Sequence, residues 1–515
     1  MAYATVLDVE RILAESGILV SALPGGEAWP DDAVEGCSFD SRDVSENDVF
    51  FCKGAAFRPA FLESAIDSGA SCFVAPAELE AELSPIAART GTVGFLVDDV
   101  RIAMAAVPPA VYGYPDEDLS VVGITGTKGK STTAYMLRSI IDAAGDGSPQ
   151  TGIIGSIDTF DGIVDEESHN TTPEAPAIWK HLANARDSRL RSMVMEVSSQ
   201  ALKYDRTLGL TFDIACFLNI GLDHISDQEH TGFEDYFSSK LRIFDQCLTA
   251  VVNLDSDHIG RILAAAHAGA ENVVTIGIDR DDADVSATSL ETVEGEISFT
   301  VRARTFTRRM RLPFPGDFNV SNALAAIAAA ELMGISPDAM EQGLARVVVP
   351  GRMEFFRSDD RKLTALVDYA HNRLSFEAVF SAVRKNYPKS RIVALFGSAG
   401  CKALERRVEL PEVAARYADH IVITNEDPWT EDPLSICREI ESNLPDGFPH
   451  DLVLDREQAA ERCFEVAGDG PAVVMLLAKG RETEMHVADG WASIVPDTEL
   501  AKRHIAAYNA AHPVS

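Results

Sequence analysis

The sequence predicts an α/β protein of three domains, and three observations carry that reading. Strand-like apolar runs alternate with helical segments over the C-terminal third: LTALVDYA (363–370), RIVALFGS (391–398), HIVITNE (420–426) and AVVMLLAKG (472–480). Continuous apolar strands in βα alternation indicate a parallel sheet covered on both faces. Further upstream, LSVVGIT (119–125) runs through glycines into an amphipathic helix. Finally, 515 residues at about 100–200 per domain leave room for about three or four domains.

Taken in order, the first unit spans residues 1–115. Its strands are VFFC (49–52) and SCFVA (71–75), with a helical stretch near 61–68. VYGYPDEDLS (111–120) is polar, carries a proline and reads as a linker. The central unit, 116–350, begins with LSVVGIT. In the helix that follows, Met136, Leu137, Ile140, Ile141 and Ala144 keep a 3.6-residue spacing, and Gly145 is its stop. MVMEVSS (193–199), IACFLNI (214–220) and AVVNLD (250–255) are further strands, and 323–330 is an Ala-rich helix. VVVPGR (347–352) marks the second boundary, and 351–515 is the third unit. Residues just after parallel strands lie at the carboxyl edge, where ligands bind.

Composition narrows the function. Lys and Arg number 45 against 80 Asp and Glu, a net charge of −35. Duplex nucleic acid and anionic membranes need surplus cations, so neither is an expected partner. An anionic substrate needs only a local basic pocket. The eight cysteines form no C-x-x-C pair, which reads as reduced thiols rather than disulfides or a zinc site. The N-terminus has acids where a signal peptide needs bases, and no apolar run reaches about 18 residues. The expectation is a soluble cytoplasmic protein, monomeric because no heptad run is present.

GITGTKGKSTT (123–133) is the strongest local signal. A strand ends, glycines turn the chain, and a helix opens on Lys-Ser-Thr-Thr. Glycines let backbone N–H groups approach phosphate oxygens, Lys130 reaches the terminal phosphates, and Ser131 or Thr132 can ligate Mg²⁺. The spacing departs from G-x-x-x-x-G-K-[ST], because Ile124 stands where the first glycine should. The order of strand, glycines and helix still makes this a P-loop ATPase-like element. A Gly-rich turn before a basic helix start is the bland alternative.

The loop TGTKGKST resembles that of the Mur ligases, the ATP-dependent ligases that build the peptidoglycan peptide. The resemblance recurs in order along almost the whole chain. FDSRDV (39–44) and FFCKGAAFRPAFL (50–62) are similar to the family's nucleotide-sugar-binding domain. TTPEA (171–175), MEVSSQAL (195–202), FLNIGLDHI (217–225), HTGFEDYFSSK (230–240) and GDFNVSNALAA (316–326) are similar to its central ATP-binding domain. PGRME (350–354), DYAHN (368–372), NEDPWTEDP (425–433) and AKGRE (478–482) are similar to its hinge and Rossmann-like C-terminal domain. EVSSQAL and TTPEA look like the branch that adds a diamino acid to UDP-N-acetylmuramoyl-L-alanyl-D-glutamate. FFCKGAAFRPAFL, TGTKGKST and FLNIGLDHI followed by EHTGFEDYF look most like that branch's lysine-adding members.

The resemblance implies ATP and Mg²⁺ as cofactors, with the muramyl dipeptide and L-lysine as substrates. Gly126, Thr127, Lys128, Gly129, Lys130, Ser131 and Thr132 would cradle ATP, joined by Asn322, Arg352, Asp368 and His371. Asn319 would be no more than a helix cap. Ser131, Glu196, His224 and a carbamylated Lys240 would hold Mg²⁺, and Lys130, Lys240, Glu196 and His224 would be catalytic. Ser41 and Arg42 would face the uridine diphosphate. Thr171, Thr172, Ser198 and Arg206 would face the sugar and peptide. Arg407, or its neighbour Arg406, would take the incoming α-carboxylate and Glu482 the α-amino group.

Specificity rests on a departure. Diaminopimelate-adding members carry D-N-P-R, whose arginine binds the second carboxylate; here the segment is Glu426-Asp427-Pro428-Trp429. The clamp is absent, and the acidic pair Glu426 and Asp427 suits a terminal ammonium. Other departures are Asn372-Arg373-Leu374 after DYAH, and Ala478 and Arg481 where the family has Gly and His. Three alternatives stay open: the same reaction with diaminopimelate or another diamino acid, a folyl-polyglutamate synthase, and a nucleotide-binding regulator without catalysis. The DSR and EVSSQAL segments weigh against the second. The retained Lys130, Glu196, Lys240, Asp368 and His371 weigh against the third.

Overall fold

The computed structural model describes residues 2–24, 31–145, 147–168, 170–221, 230–293 and 295–514. It divides into two compact units. One comprises Met1–Ala287, Val301–Thr307 and Ser321–Gly343, the other Thr288–Thr300, Arg308–Val320 and Leu344–Ser515.

The first unit holds a five-stranded sheet, ordered Leu19–Leu23, Val93–Val97, Cys72–Pro76, Asp48–Phe51, Gly36–Ser38. All neighbours are parallel except Leu19–Leu23, which runs antiparallel at one edge. Alternate residues feed two cores. Val49, Phe51, Cys72, Val74 and Phe95 pack on one side, and Phe50, Cys52, Phe73, Ala75 and Leu96 on the other. This two-residue period is what a strand covered on both faces shows.

The same unit contains the larger sheet that carries the glycine loop. Its parallel centre is Thr151–Ile154, Ser192–Glu196, Ser120–Thr125, Phe212–Phe217, Cys247–Asn253 and Asn272–Ile278. Gly123 sits mid-strand because the Phe212 ring lies 2.8 Å from where its Cβ would be. The helix Lys130–Ala143 leaves that sheet and buries Met136, Leu137, Ile140 and Ile141. Ala323–Ala330 are all fully buried, which suits a run of small side chains in a core helix.

The second unit is dominated by a six-stranded sheet, ordered Glu354–Arg357, Leu363–Asp368, Ala472–Leu477, Arg391–Phe396, His420–Ile423, His450–Leu452. Only Glu354–Arg357 is antiparallel. Every residue of Leu363–Asp368 and Ala472–Leu477 is buried, so the observed sheet is the covered parallel one that the apolar runs predict. A hairpin, Glu484–Val487 with Gly490–Ser493, stands beside it. Among the described residues no helix is long and apolar enough to cross a membrane.

Candidate active site

The glycine loop begins where Ser120–Thr125 ends. Gly126 (φ 154°) and Gly129 (φ 89°) have backbone conformations that favour glycine. A Cβ on Gly129 would lie 2.2 Å from Asn322 Oδ1, and one on Gly126 3.0 Å from Leu218 Cβ. The loop is pinned from one side by Asn219. Its carbonyl accepts from Thr127 N (3.0 Å), its Oδ1 accepts from Lys128 N (2.9 Å), and its Nδ2 donates to Lys128 O (3.0 Å). Thr127 Oγ1 lies 2.9 Å from the Tyr236 hydroxyl.

Two ammonium groups converge on this loop. Lys130 Nζ donates to Gly126 O at 3.1 Å. Lys240 Nζ, from the helix Phe233–Leu241, donates to the same carbonyl at 2.9 Å. Lys240 is 1% exposed and lies 5.0 Å from the Tyr236 ring centre. Two cations beside glycine-freed amides at a helix N-terminus form a polyanion site. The loop therefore fits the phosphates of ATP.

Glu196 closes the strand Ser192–Glu196 and is 1% exposed. Its Oε1 accepts from Ser156 N (2.8 Å) and its Oε2 from Ser156 Oγ (3.2 Å). A Cβ on Gly155 would come within 2.5 Å of Oε1, so glycine is what admits the carboxylate there. Among the described residues no cluster of three or more His, Cys, Asp or Glu could by itself hold a metal. Mg²⁺ asks for less, one or two carboxylate or hydroxyl ligands completed by phosphates and water. Glu196 and the buried Ser131 meet that need. His224 lies outside the described residues.

The expected peptide-binding residues are joined to Glu196 by hydrogen bonds. Thr172 Oγ1 donates to Glu196 O (2.8 Å) and accepts from Ser198 N (3.0 Å). Thr171 Oγ1 lies 2.9 Å from Ser156 Oγ, which accepts from it while donating to Glu196. Arg206 Nη1 donates to Thr172 O at 2.9 Å. Arg42 stands apart. Its side chain is 85% exposed and folds onto Asp40, holding that carboxyl down at about 2. Ser41 is half-buried beside it.

In the second unit, Asp368 is buried and pins the turn at 351–353. Its Oδ2 accepts from Met353 N and its Oδ1 from Ala370 N, both at 2.8 Å. His371 Nδ1 donates to Tyr369 O at 2.7 Å, and the Arg352 guanidinium lies 4.7 Å from the Tyr369 ring centre. Asn319 is not the expected helix cap: it lies inside the helix Asp317–Leu332, and its Nδ2 donates to Pro315 O at 2.8 Å.

Past the strands His420–Ile423 and Ala472–Leu477 lies an acidic cluster of Glu426, Asp427 and Glu482. Lys479, 1% exposed, pairs with both Asp427 (2.9 Å) and Glu482. Burial works against its charge, but Glu482 and Asp427 outweigh that and raise its pKa. Asp427 Oδ1 also accepts from His486 N at 2.9 Å, tying down the hairpin. Glu426 is buried, and its Oε2 has no hydrogen-bond partner among the described residues. Burial pushes Glu426 up to about 7, opposed by Arg456, Lys479 and Arg406 and reinforced by Asp427. Gly397 is needed here, because a Cβ would lie 2.9 Å from that of Glu426.

Trp429 has φ 55°, an uncommon conformation for a bulky residue that clusters at functional sites. Its ring stacks on His486 at 3.7 Å, and Lys402 Nζ lies 5.2 Å from its centre. Arg407 is buried, its guanidinium committed to Glu431 (2.9 Å) and Glu439 (2.8 Å). Its half-buried neighbour Arg406 is the one that acts electrostatically on Glu426. Lys479 was missed by sequence reasoning, although it stands inside the quoted AKGRE segment.

A covered parallel sheet with a glycine loop, two lysines on it and an isolated buried glutamate defines a nucleotide-dependent enzyme of the P-loop kind. Comparison makes the class particular. Residues 124–330 match the Mur ligase middle domain and residues 351–480 the Mur ligase glutamate ligase domain. The UDP-N-acetylmuramyl-tripeptide synthetase of Lactobacillus delbrueckii subsp. bulgaricus is 35% identical over 470 residues, covering 87% of this chain and 89% of that one. The UDP-N-acetylmuramoyl-L-alanyl-D-glutamate–L-lysine ligase of Enterococcus faecalis is 35% identical over 456 residues, 87% of each. A solved UDP-N-acetylmuramoyl-L-alanyl-D-glutamate–2,6-diaminopimelate ligase shares the fold with TM-score 0.66 and 22% identity, covering 99% of this chain and 100% of that one. The chain belongs to the Mur ligase family, and it is an ATP-dependent amide ligase.

Proposed function

We propose that this ligase adds L-lysine to the D-glutamate of UDP-N-acetylmuramoyl-L-alanyl-D-glutamate, in peptidoglycan precursor synthesis. The observation that carries the reading is the acidic cluster Glu426, Asp427 and Glu482, in which Lys479 pairs with Asp427 and Glu482 and leaves Glu426 without an ion pair among the described residues. Such a cluster suits an ammonium and has no arginine at position 429 to receive a second carboxylate. The Enterococcus faecalis relative, a lysine ligase by name, supports the same choice.

The chemistry needs a carboxylate turned into an acyl donor. The glutamate carboxylate attacks the γ-phosphorus of ATP, ADP leaves, and an acyl phosphate forms. The amine of lysine then attacks the acyl carbon, and phosphate leaves with the proton balance of an amide synthesis. Lys130 and the amides of 126–132 orient the phosphates and offset their growing charge. Glu196 and Ser131 would hold Mg²⁺, which screens the phosphate oxygens when bound. Lys240, carbamylated, would turn from cation to anion at this loop and hold the same metal, and His224 is proposed as a further ligand. Thr171, Thr172, Ser198 and Arg206 would orient the peptide, and Ser41 and Arg42 the uridine diphosphate.

On the amino-acid side, Glu426 would take an ammonium. Arg406, which has no ion pair among the described residues whereas Arg407 has two, would take the α-carboxylate. Arg352, Asp368 and His371 would bind ATP. We assign the nucleotide-sugar part to 1–115, the ATP part to 116–350 and the amino-acid part to 351–515, in a cytoplasmic monomer. Release of ADP that requires the muramyl dipeptide and L-lysine together tests the reading. Release without either substrate contradicts it.

A further inference from the structure

The first unit contains a charge bridge in which only Arg206 has been given a part in the reaction. Glu174 stands at the N-cap of the helix Ala175–Asp187, yet its side chain makes no capping bond. Its carboxylate is spent on two cations instead. Oε2 pairs with Lys53 Nζ at 2.8 Å and Oε1 with Arg206 Nη2 at 3.0 Å. All three side chains are about a fifth exposed, at 23%, 22% and 19% for Lys53, Glu174 and Arg206.

The bridge is long-range in sequence. Lys53 follows the strand Asp48–Phe51 of the five-stranded sheet, whereas Glu174 and Arg206 flank the residues hydrogen-bonded to Glu196. Two cations around one carboxylate leave an excess of one positive charge. Two observations show where it can act. Arg206 Nε is buried with no hydrogen-bond partner among the described residues, a donor that costs free energy until an acceptor arrives. The Lys53 ammonium also lies 4.9 Å from the centre of the Phe39 ring, and Phe39 is 36% exposed. The Lys53 ammonium has three N–H donors and Glu174 as its one ion-pair partner among the described residues, so donors remain for an incoming anion.

The geometry points to Lys53 as a further substrate-binding residue, taking an anionic oxygen of the muramyl dipeptide, with Glu174 as the positioning residue that locks Lys53 and Arg206 into one pair. The assignment rests on the ligase reading. Glu174 would not meet the reacting atoms. It fixes two flexible cations, so that less of their freedom is lost when substrate binds.

Steady-state kinetics and calorimetric binding of the muramyl dipeptide nucleotide test it, using the full-length enzyme and Lys53→Met, Lys53→Arg and Glu174→Gln. Loss of one charge-assisted contact corresponds to about a tenfold rise in KM and Kd for the dipeptide nucleotide in Lys53→Met. KM for ATP and for lysine stays at the wild-type value, and Lys53→Arg recovers most of the loss. Glu174→Gln raises the same KM, and combining it with Lys53→Met adds little. Binding of UDP alone separates the two sources of anionic oxygen. An effect on UDP assigns Lys53 to the diphosphate, and an effect on the dipeptide nucleotide alone assigns it to the peptide carboxylates. Unchanged dipeptide affinity in Lys53→Met overturns the proposal. So does a fall in thermal stability with all three KM values moving together, the mark of a purely structural tie. A wild-type enzyme that binds the dipeptide nucleotide but does not ligate it contradicts the ligase reading and leaves the binding comparison decisive. One that does not bind it overturns both.

Discussion

The two parallel sheets place opposite charges at equivalent edges. At the carboxyl end of Ser120–Thr125, Lys130 and Lys240 both point at Gly126 O. At the carboxyl ends of His420–Ile423 and Ala472–Leu477, Asp427 and Glu482 pair with Lys479, and the buried Glu426 stands beside them. The strands are alike in both places, apolar and buried. The difference lies in the few loop residues that follow them. One edge is made for a polyanion and the other for an ammonium. A net charge of −35 describes neither.

The comparison breaks most visibly at the cationic edge. Lys130→Ala is expected to lower kcat by about 10³-fold, the scale of losing a preorganised charge contact in the transition state, while the thermal melt stays in place. Lys240→Ala is expected to cost about 10²-fold or more, with partial recovery in excess acetate or bicarbonate. Wild-type turnover in that variant would remove the carbamate role.

At the acidic edge the effects are smaller and depend on pH. Glu426 has its pKa raised to about 7 by burial, so it is protonated below that pH and ionised above it. The KM for lysine should therefore fall as pH rises through about 7, and Glu426→Gln should raise it about tenfold at pH 8 and flatten the profile. Stability runs the other way. The folded pKa lies above the ordinary 4.5, so the folded form binds the proton more tightly, and that stabilisation is lost as pH rises from about 4.5 to about 7. Glu426→Gln should accordingly melt higher than wild type at pH 8 and no higher at pH 4.5.

The smallest expected effect is at Ala478, whose φ of 85° is a conformation that favours glycine. Ala478→Gly should stabilise the protein by about 1 kcal/mol, seen as a rise of a few degrees in Tm. A fall would mean that the methyl group packs usefully.

The buried strands were the most legible part of the sequence. LTALVDYA, RIVALFGS and AVVMLLAKG contain the observed Leu363–Asp368, Arg391–Phe396 and Ala472–Leu477, because a strand covered on both faces must be continuously apolar. Val285–Val293, Glu296–Arg302 and Thr307–Leu312 were not read. Polar and charged residues interrupt their apolar positions, so they lack the continuous apolar runs of the covered strands and show only a short two-residue alternation such as Ile297, Phe299 and Val301. The glycine loop was legible because its residues are contiguous. Lys479 with Asp427, 52 positions apart, and Lys53 with Glu174 were not, since only the fold brings such charges together. The commitment of Arg407 to Glu431 and Glu439 was equally hidden, because adjacent arginines look the same in sequence.

The central claim is that the acidic edge selects a diamino acid ending in an ammonium without a second carboxylate. ADP release in the presence of the muramyl dipeptide, with L-lysine and meso-diaminopimelate compared at equal concentration, tests it directly. The account predicts turnover with lysine and little with diaminopimelate. Turnover with diaminopimelate and none with lysine would contradict it.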